Sequence, residues 1–167
     1  MLYKNKYRVE SARLKDWDYS SAAWYFVTMN SKGHKKCFGE VVEDRMVLNK
    51  LGEIVDEYWR EIPNHFRGIE LDEYVVMPNH LHGIIIINDR IKVETPDRAS
   101  QQLPALGVII NQFKGSVKRW ANKNDYSEFE WQERFYDHII RKDKSLDAIR
   151  KYINLNPLKW TIDKYFR

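Results

Sequence analysis

Residues 74–88, YVVMPNHLHGIIIIN, limit what this chain can fold into more than any other stretch. Two apolar runs, 74–77 and 84–87, flank Pro78-Asn79 and a pair of histidines. Both runs are rich in β-branched residues and too short for a stable helix, so they predict two strands around a tight connection. Proline presets the backbone for entry into such a turn, and asparagine is at home there. Side chains alternate along a strand, which puts His80 and His82 on one face and Leu81 on the other. Two imidazoles pointing the same way can serve one metal ion. Four successive isoleucines after Gly83 predict a strand buried on both faces, a rigid base for that pair. Most histidine pairs of this spacing are structural, so a third ligand and a reacting group must be found elsewhere in the chain.

No run approaches the roughly 20 apolar residues that a membrane-spanning helix needs. The opening residues, MLYKNKYRVE, lack the apolar centre of a secretory signal. A single cysteine, Cys37, excludes an internal disulfide and suits a reducing compartment, so a cytoplasmic protein without membrane partners is expected. With 167 residues and 43% hydrophobic content, one domain is expected over 1–167, its core spanning about 20–160. The net charge of +4 permits a nucleic-acid partner without demanding one.

The other elements are read around the hairpin. Residues 24–30, WYFVTMN, predict a first strand, and 31–43 a loop with a short strand piece. Val47, Leu51, Ile54, Val55, Tyr58, Trp59 and Ile62 recur at three and four, predicting an amphipathic helix over 44–62 closed by Pro63 and Gly68. Strands follow at 69–77 and 80–87, then a polar surface loop over 88–104. A second helix over 105–123 has Leu106, Ile109, Ile110, Phe113, Val117 and Trp120 on one side. Gln112, Lys114, Lys118 and Arg119 of this helix are candidates for contact with the phosphates of a nucleic acid, against the ordinary alternative of a solvated face. A fourth strand is expected around 136–141, and a last helix over 143–156 capped by Asp143 or Ser145 and ended by Pro157. The order predicts an α+β fold: a ferredoxin-like antiparallel sheet with helices on one face, plus a C-terminal helix near the histidines. Tyr136 is read as strand packing and His138 as a structural histidine. Trp131 and Trp160 are read as core anchors with base stacking as the alternative.

Tyr152 and Asn156 in KYINLNPLKW are four apart and share one helix face. Lys151 points about 100° away from Tyr152 around the helix and is not assigned as its base. The chain has ten tyrosines, so position alone selects none of them as a nucleophile.

Three blocks together do select one. VVMPNHLHGI at 75–84, WQERFYDHIIR at 131–141 and YINLNP at 152–157 follow the lead-in strand WYFVT in a fixed order. In these blocks the chain resembles the single-tyrosine HUH transposases of bacterial insertion sequences, and more narrowly the REP-associated tyrosine transposases, over about 20–160. The resemblance implies that His80, His82 and Asn156 bind a divalent metal, Mg²⁺ or Mn²⁺, and that Tyr152 is the nucleophile. It further implies cleavage and rejoining of single-stranded DNA through a 5′-phosphotyrosine, with a hairpin or palindromic repeat as the recognised DNA. Relatives in that family include dimers whose tyrosine helix serves the neighbouring subunit, and monomers; the sequence leaves both open. Two other classes stand beside this reading: a non-catalytic nucleic-acid module on a ferredoxin-like sheet, and a metallonuclease that uses water.

Overall fold

The computed structural model describes residues 14–88 and 103–166, together with the backbone of two short paired strands, β1 (Leu2–Tyr3) and β2 (Tyr7–Arg8). Most of the lead-in expected over 1–20, and residues 89–102 of the expected loop, lie outside the described residues.

The elements that follow are β3 (Ala23–Asn30), β4 (Gly39–Val42), β5 (Arg45–Leu48), α1 (Lys50–Arg60) and α2 (Ile62–His65). After these come β6 (Ile69–Met77), β7 (His80–Ile87), α3 (Leu106–Lys123), β8 (Tyr136–Ile140) and α4 (Asp143–Asn154). The main sheet runs in the order β6-β7-β3-β8, antiparallel at every pairing. This is the ferredoxin-like order expected from the sequence.

Alternation along β3 and β7 divides the core in two. Tyr25, Val27, Met29, Leu81, Ile85 and Ile87 pack with Leu51, Val55 and Trp59 of α1 and with Ile109, Phe113 and Val117 of α3. Phe26, Ile84 and Ile86 face the other way, where Ile153 of α4 covers them. Every residue of β7 is buried, as a strand covered on both faces must be. Helices α1 and α3 thus share one face, and the C-terminal helix α4 covers the histidine face.

The helix expected over 44–62 starts later. Residues 45–48 form β5, paired with β4 through a two-residue turn at Glu43 and Asp44, both in the left-handed region. That is the turn geometry matched to strand twist. Asn49 then caps α1, its side chain accepting from the Gly52 amide at 2.9 Å. Pro63 does not close the segment; it sits in the first turn of α2, where its missing N–H costs no helical hydrogen bond.

The last helix also differs at both ends. Its N-cap is Lys142, and neither Asp143 nor Ser145 caps it through a side chain. It ends at Asn154 because Pro157 has no amide to give the Ile153 carbonyl; the Asn156 amide takes that carbonyl instead, at 3.2 Å. The chain tightens by one residue there, and Asn156 is still delivered next to Tyr152. Two residues before Tyr152, Arg150 clamps the Asp72 carboxylate of the β6 bulge with bonds of 2.8 and 2.6 Å, tying α4 to the sheet edge.

Candidate active site

The β6–β7 turn is built into the interior. The Pro78 carbonyl accepts from the Cys37 and Phe38 amides, and the Asn79 carbonyl from the Ser31 amide. Asn79 itself is fully buried. Its Nδ2 donates to the His34 and Tyr165 carbonyls at 3.1 and 2.8 Å, which fixes the orientation of the amide. Its Oδ1, 2.8 Å from His80 Nδ1, can therefore only accept, so His80 carries its proton on Nδ1. The remaining nitrogen, Nε2, is a buried lone pair with no hydrogen-bond partner among the described residues.

His82 is held in the same manner from the neighbouring strand. Thr28 stands opposite it in the β3–β7 register, and its Oγ1 lies 2.7 Å from His82 Nδ1. When that hydroxyl accepts from Nδ1–H, His82 Nε2 is a lone pair too, and the Tyr152 hydroxyl lies 3.2 Å from it. The two imidazoles lie 4.4 Å apart, centroid to centroid, close to perpendicular. Burial pushes His80 down to about 4 and His82 well below the usual histidine range, so both rings are neutral near pH 7.

Asn156 supplies the third donor. Its Nδ2 donates to Asp163 Oδ2 at 3.2 Å, which leaves Oδ1 buried and without a partner among the described residues. Unpaired buried polar atoms are rare and costly, so two of them grouped around His82 and Tyr152 invite a positively charged occupant. The residues fit a divalent cation: two imidazoles, oriented by the Asn79 amide and the Thr28 hydroxyl, and an amide oxygen. The donor set suits Mn²⁺ more naturally than Mg²⁺, which prefers oxygen alone. Among the described residues no three His, Cys, Asp or Glu side chains gather as a metal cluster; a set of three here would need the Asn156 amide.

Tyr152 remains 38% exposed on α4, with its ring 5.1 Å from that of His82. Burial, followed by the Asp163 carboxylate, pushes its phenol up to about 12. The fold therefore brings together His80, His82, Tyr152 and Asn156, and the tyrosine meets His82 of its own chain.

Thr28, Asp163 and Tyr165 were not legible beforehand. The Asp163 carboxylate touches both Tyr152, at 3.4 Å, and Asn156. The Tyr165 ring lies 4.6 Å from His80 and 5.7 Å from His82. Thr28 follows from strand register, but the segment after Pro157 has no period that would point at the site.

The α3 candidates lie apart from this site, on the other face of the sheet. The Lys114 ammonium donates to the Gln132 and Glu133 carbonyls, and Lys118 to those of Ser127 and Phe129. Both lysines hold the 127–133 segment. Gln112 and Arg119 line a groove of about 580 Å³ between α3 and the α1–α2 region. Trp131 packs among Phe38, Phe113 and Phe129, and Trp160 is buried 6.0 Å from His80. Burial pushes the Cys37 thiol up to about 11, away from reactivity.

No family model matches the chain. It is 38% identical over 167 residues to an uncharacterized protein of Haemophilus influenzae (strain ATCC 51907 / DSM 11121 / KW20 / Rd), covering 93% of this chain and 92% of that one. A second protein of the same strain, provisionally named a REP-associated tyrosine transposase, is 26% identical over 138 residues, covering 77% of this chain and 73% of that one. Among solved structures, a REP-associated tyrosine transposase bound to a REP hairpin superposes with a TM-score of 0.56 at 18% identity, over 93% of this chain and 77% of that chain. No helix among the described residues is long and apolar enough to cross a membrane.

Proposed function

We propose that this chain, which belongs to one family with the 38% identical Haemophilus influenzae protein and has the fold of a REP-associated tyrosine transposase, cleaves and rejoins single-stranded DNA through Tyr152. The observation that carries the reading is the meeting of an exposed phenol with His82 Nε2, with the buried, unpaired His80 Nε2 on the adjoining ring and the unpaired Asn156 Oδ1 one helical turn from Tyr152. His80, His82 and Asn156 would hold a divalent ion, Mg²⁺ or Mn²⁺, which when bound polarises the scissile phosphate and offsets charge on its non-bridging oxygens.

The chain's own residues do the rest. Tyr152 Oη attacks phosphorus; the Tyr–O–P bond forms, the P–O3′ bond breaks, and the 3′ oxygen leaves as a hydroxyl after taking a proton. The phenol is protonated at neutral pH and must lose its proton during attack. Asp163 Oδ2, 3.4 Å from the phenolic oxygen, is the carboxylate placed to take it. The 3′-hydroxyl of a second DNA end then reverses the step, and the phosphotyrosine bond supplies the energy without ATP. The clamp between Arg150 and Asp72 holds α4 in place for both steps. The DNA class is a single strand carrying a hairpin or palindromic repeat, a reading supported by the hairpin-bound relative.

The test mixes the protein with hairpin-containing single-stranded oligonucleotides and Mg²⁺ or Mn²⁺. A covalent adduct on a denaturing gel is expected for wild type and not for Tyr152→Phe. Cleavage that survives Tyr152→Phe without an adduct assigns the attack to water. Failure of wild type to form any adduct over a broad substrate set overturns the proposal.

A further inference from the structure

We infer that Tyr136, with His138 beside it, is a stacking platform for an unpaired nucleobase of the DNA strand held at Tyr152; the inference rests on the reading given under Proposed function. The sequence reading put Tyr136 into strand packing. Instead its side chain is 46% exposed on the outer strand of the sheet, although it belongs to a row that leads to the site. Tyr136 stands opposite Thr28, and Thr28 opposite His82, so one row across three strands holds all three residues. Tyr136 and His82 are two strand spacings apart, about 10 Å.

Phe26 joins these groups physically. Its ring stacks on His82 at 5.4 Å and meets both Tyr152, at 6.2 Å, and Tyr136, at 6.3 Å, edge to face. Phe26 is buried and belongs to the core under α4, so it is a fixed wedge between the candidate nucleophile and the exposed tyrosine. Ile140, of the same parity, packs into that core, so His138 faces the same way, and it too is exposed. An aromatic ring braced edge to face against a buried ring and still 46% exposed suits a flat apolar partner better than water. Beside a phosphate-processing phenol, that partner is the base adjoining the scissile phosphate. Exposed cations flank both tyrosines in the chain, Arg134 before Tyr136 and Lys151 before Tyr152, which complements a phosphate backbone. Stacking of this kind tolerates any base and needs no groove edge to read.

The full chain carrying Tyr152→Phe, which blocks chemistry, is mixed with an oligo-dT containing a single 5-iodo-2′-deoxyuridine and irradiated. The expected cross-link falls on Tyr136, in the tryptic peptide FYDHIIR bounded by Arg134 and Arg141. Replacing Tyr136 by Leu is expected to weaken oligo-dT binding roughly 5- to 100-fold, whereas Tyr136→Phe holds it within about 2-fold. The cross-link is read on unmutated Tyr136, so it stands even where the leucine variant does not fold. Binding by a folded Tyr136→Leu variant equal to its parent, or cross-links confined to other peptides, overturns this inference alone. Absence of any single-strand binding by the parent overturns it together with the proposed function.

Discussion

The Tyr152 hydroxyl lies 3.2 Å from His82 Nε2, a contact between groups 70 residues apart in the chain. Under the proposed function the same nitrogen would be one of three ligand atoms for a cation, so phenol and ion would compete for one lone pair. Tyr152→Phe is therefore expected to bind Mn²⁺ at least as tightly as wild type. The lost hydrogen bond corresponds to about 0.5–1.5 kcal/mol, or roughly two- to tenfold in affinity. Isothermal titration with Mn²⁺ measures this without any DNA, and substantially weaker binding by the phenylalanine variant would contradict the shared-donor geometry.

Thr28 provides a second handle on the same pair. Its Oγ1, 2.7 Å from His82 Nδ1, fixes which nitrogen faces the site. Thr28→Val keeps the volume and removes that partner. Loss of such an outer-shell bond typically weakens metal affinity about 10- to 100-fold. The same titration is expected to show that loss in Thr28→Val, with the circular dichroism spectrum retained.

The neutral histidines also set an acid limit. Burial holds His80 at about 4 and His82 well below 6.5, whereas both titrate near 6.5 in the unfolded chain. Between those values the unfolded chain binds more protons, so stability rises with pH there. The contribution of both rings is complete above about pH 6.5; that of His80 is lost as pH falls towards about 4, and that of His82 also falls with pH, at up to about 1.4 kcal/mol per pH unit for each ring. Metal-free thermal unfolding is expected to show a midpoint that drops over this range, with a shallower drop in His80→Leu. A midpoint insensitive to pH in that window would mean the rings are not desolvated as the fold requires.

Local pattern made some elements legible and long-range geometry hid others. The two strands around Pro78-Asn79 and the helix from Leu106 are long and strongly periodic, and their bounds fall where the pattern puts them. Residues 45–48 misled because Val47, which is exposed on β5, falls in phase with the apolar stripe of α1. The preceding turn uses Glu43 and Asp44 at positive φ, without the glycine that would have announced it. The histidine pair and Tyr152 were readable because strand alternation and three sequence blocks point to them. Thr28 became visible only through cross-strand register, and Asp163 and Tyr165 only through the path of a tail that has no period.

Gly83 interrupts the two histidines and the isoleucine run for a packing reason. A Cβ at this position would lie 2.3 Å from the Trp59 ring of α1. Overpacking of a core contact costs about 1–3 kcal/mol, and here the strand that would shift carries His80 and His82. Gly83→Ala is expected to lower stability by that amount and to weaken Mn²⁺ binding. Because the clash is with the indole, Trp59→Phe combined with Gly83→Ala is expected to recover part of the loss relative to the sum of the single changes, which urea titration of the cycle measures.

Lys118 separates a structural from a DNA-binding role on α3. Its ammonium donates to the carbonyls of Ser127 and Phe129, at 2.8 and 2.6 Å, and so ties down the segment that leads to Trp131 and β8. Lys118→Met keeps most of the apolar stem and removes both bonds. Charged hydrogen bonds of this kind contribute about 1.5–3 kcal/mol each when buried; partial exposure reduces that here, so a loss of about 1–2 kcal/mol is expected. A phosphate-contacting lysine instead contributes close to one unit to the slope of log affinity against log salt. Lys118→Met is expected to lower the urea midpoint while leaving that slope for single-stranded DNA unchanged. A slope reduced by about one unit at unchanged stability would return Lys118 to the DNA interface.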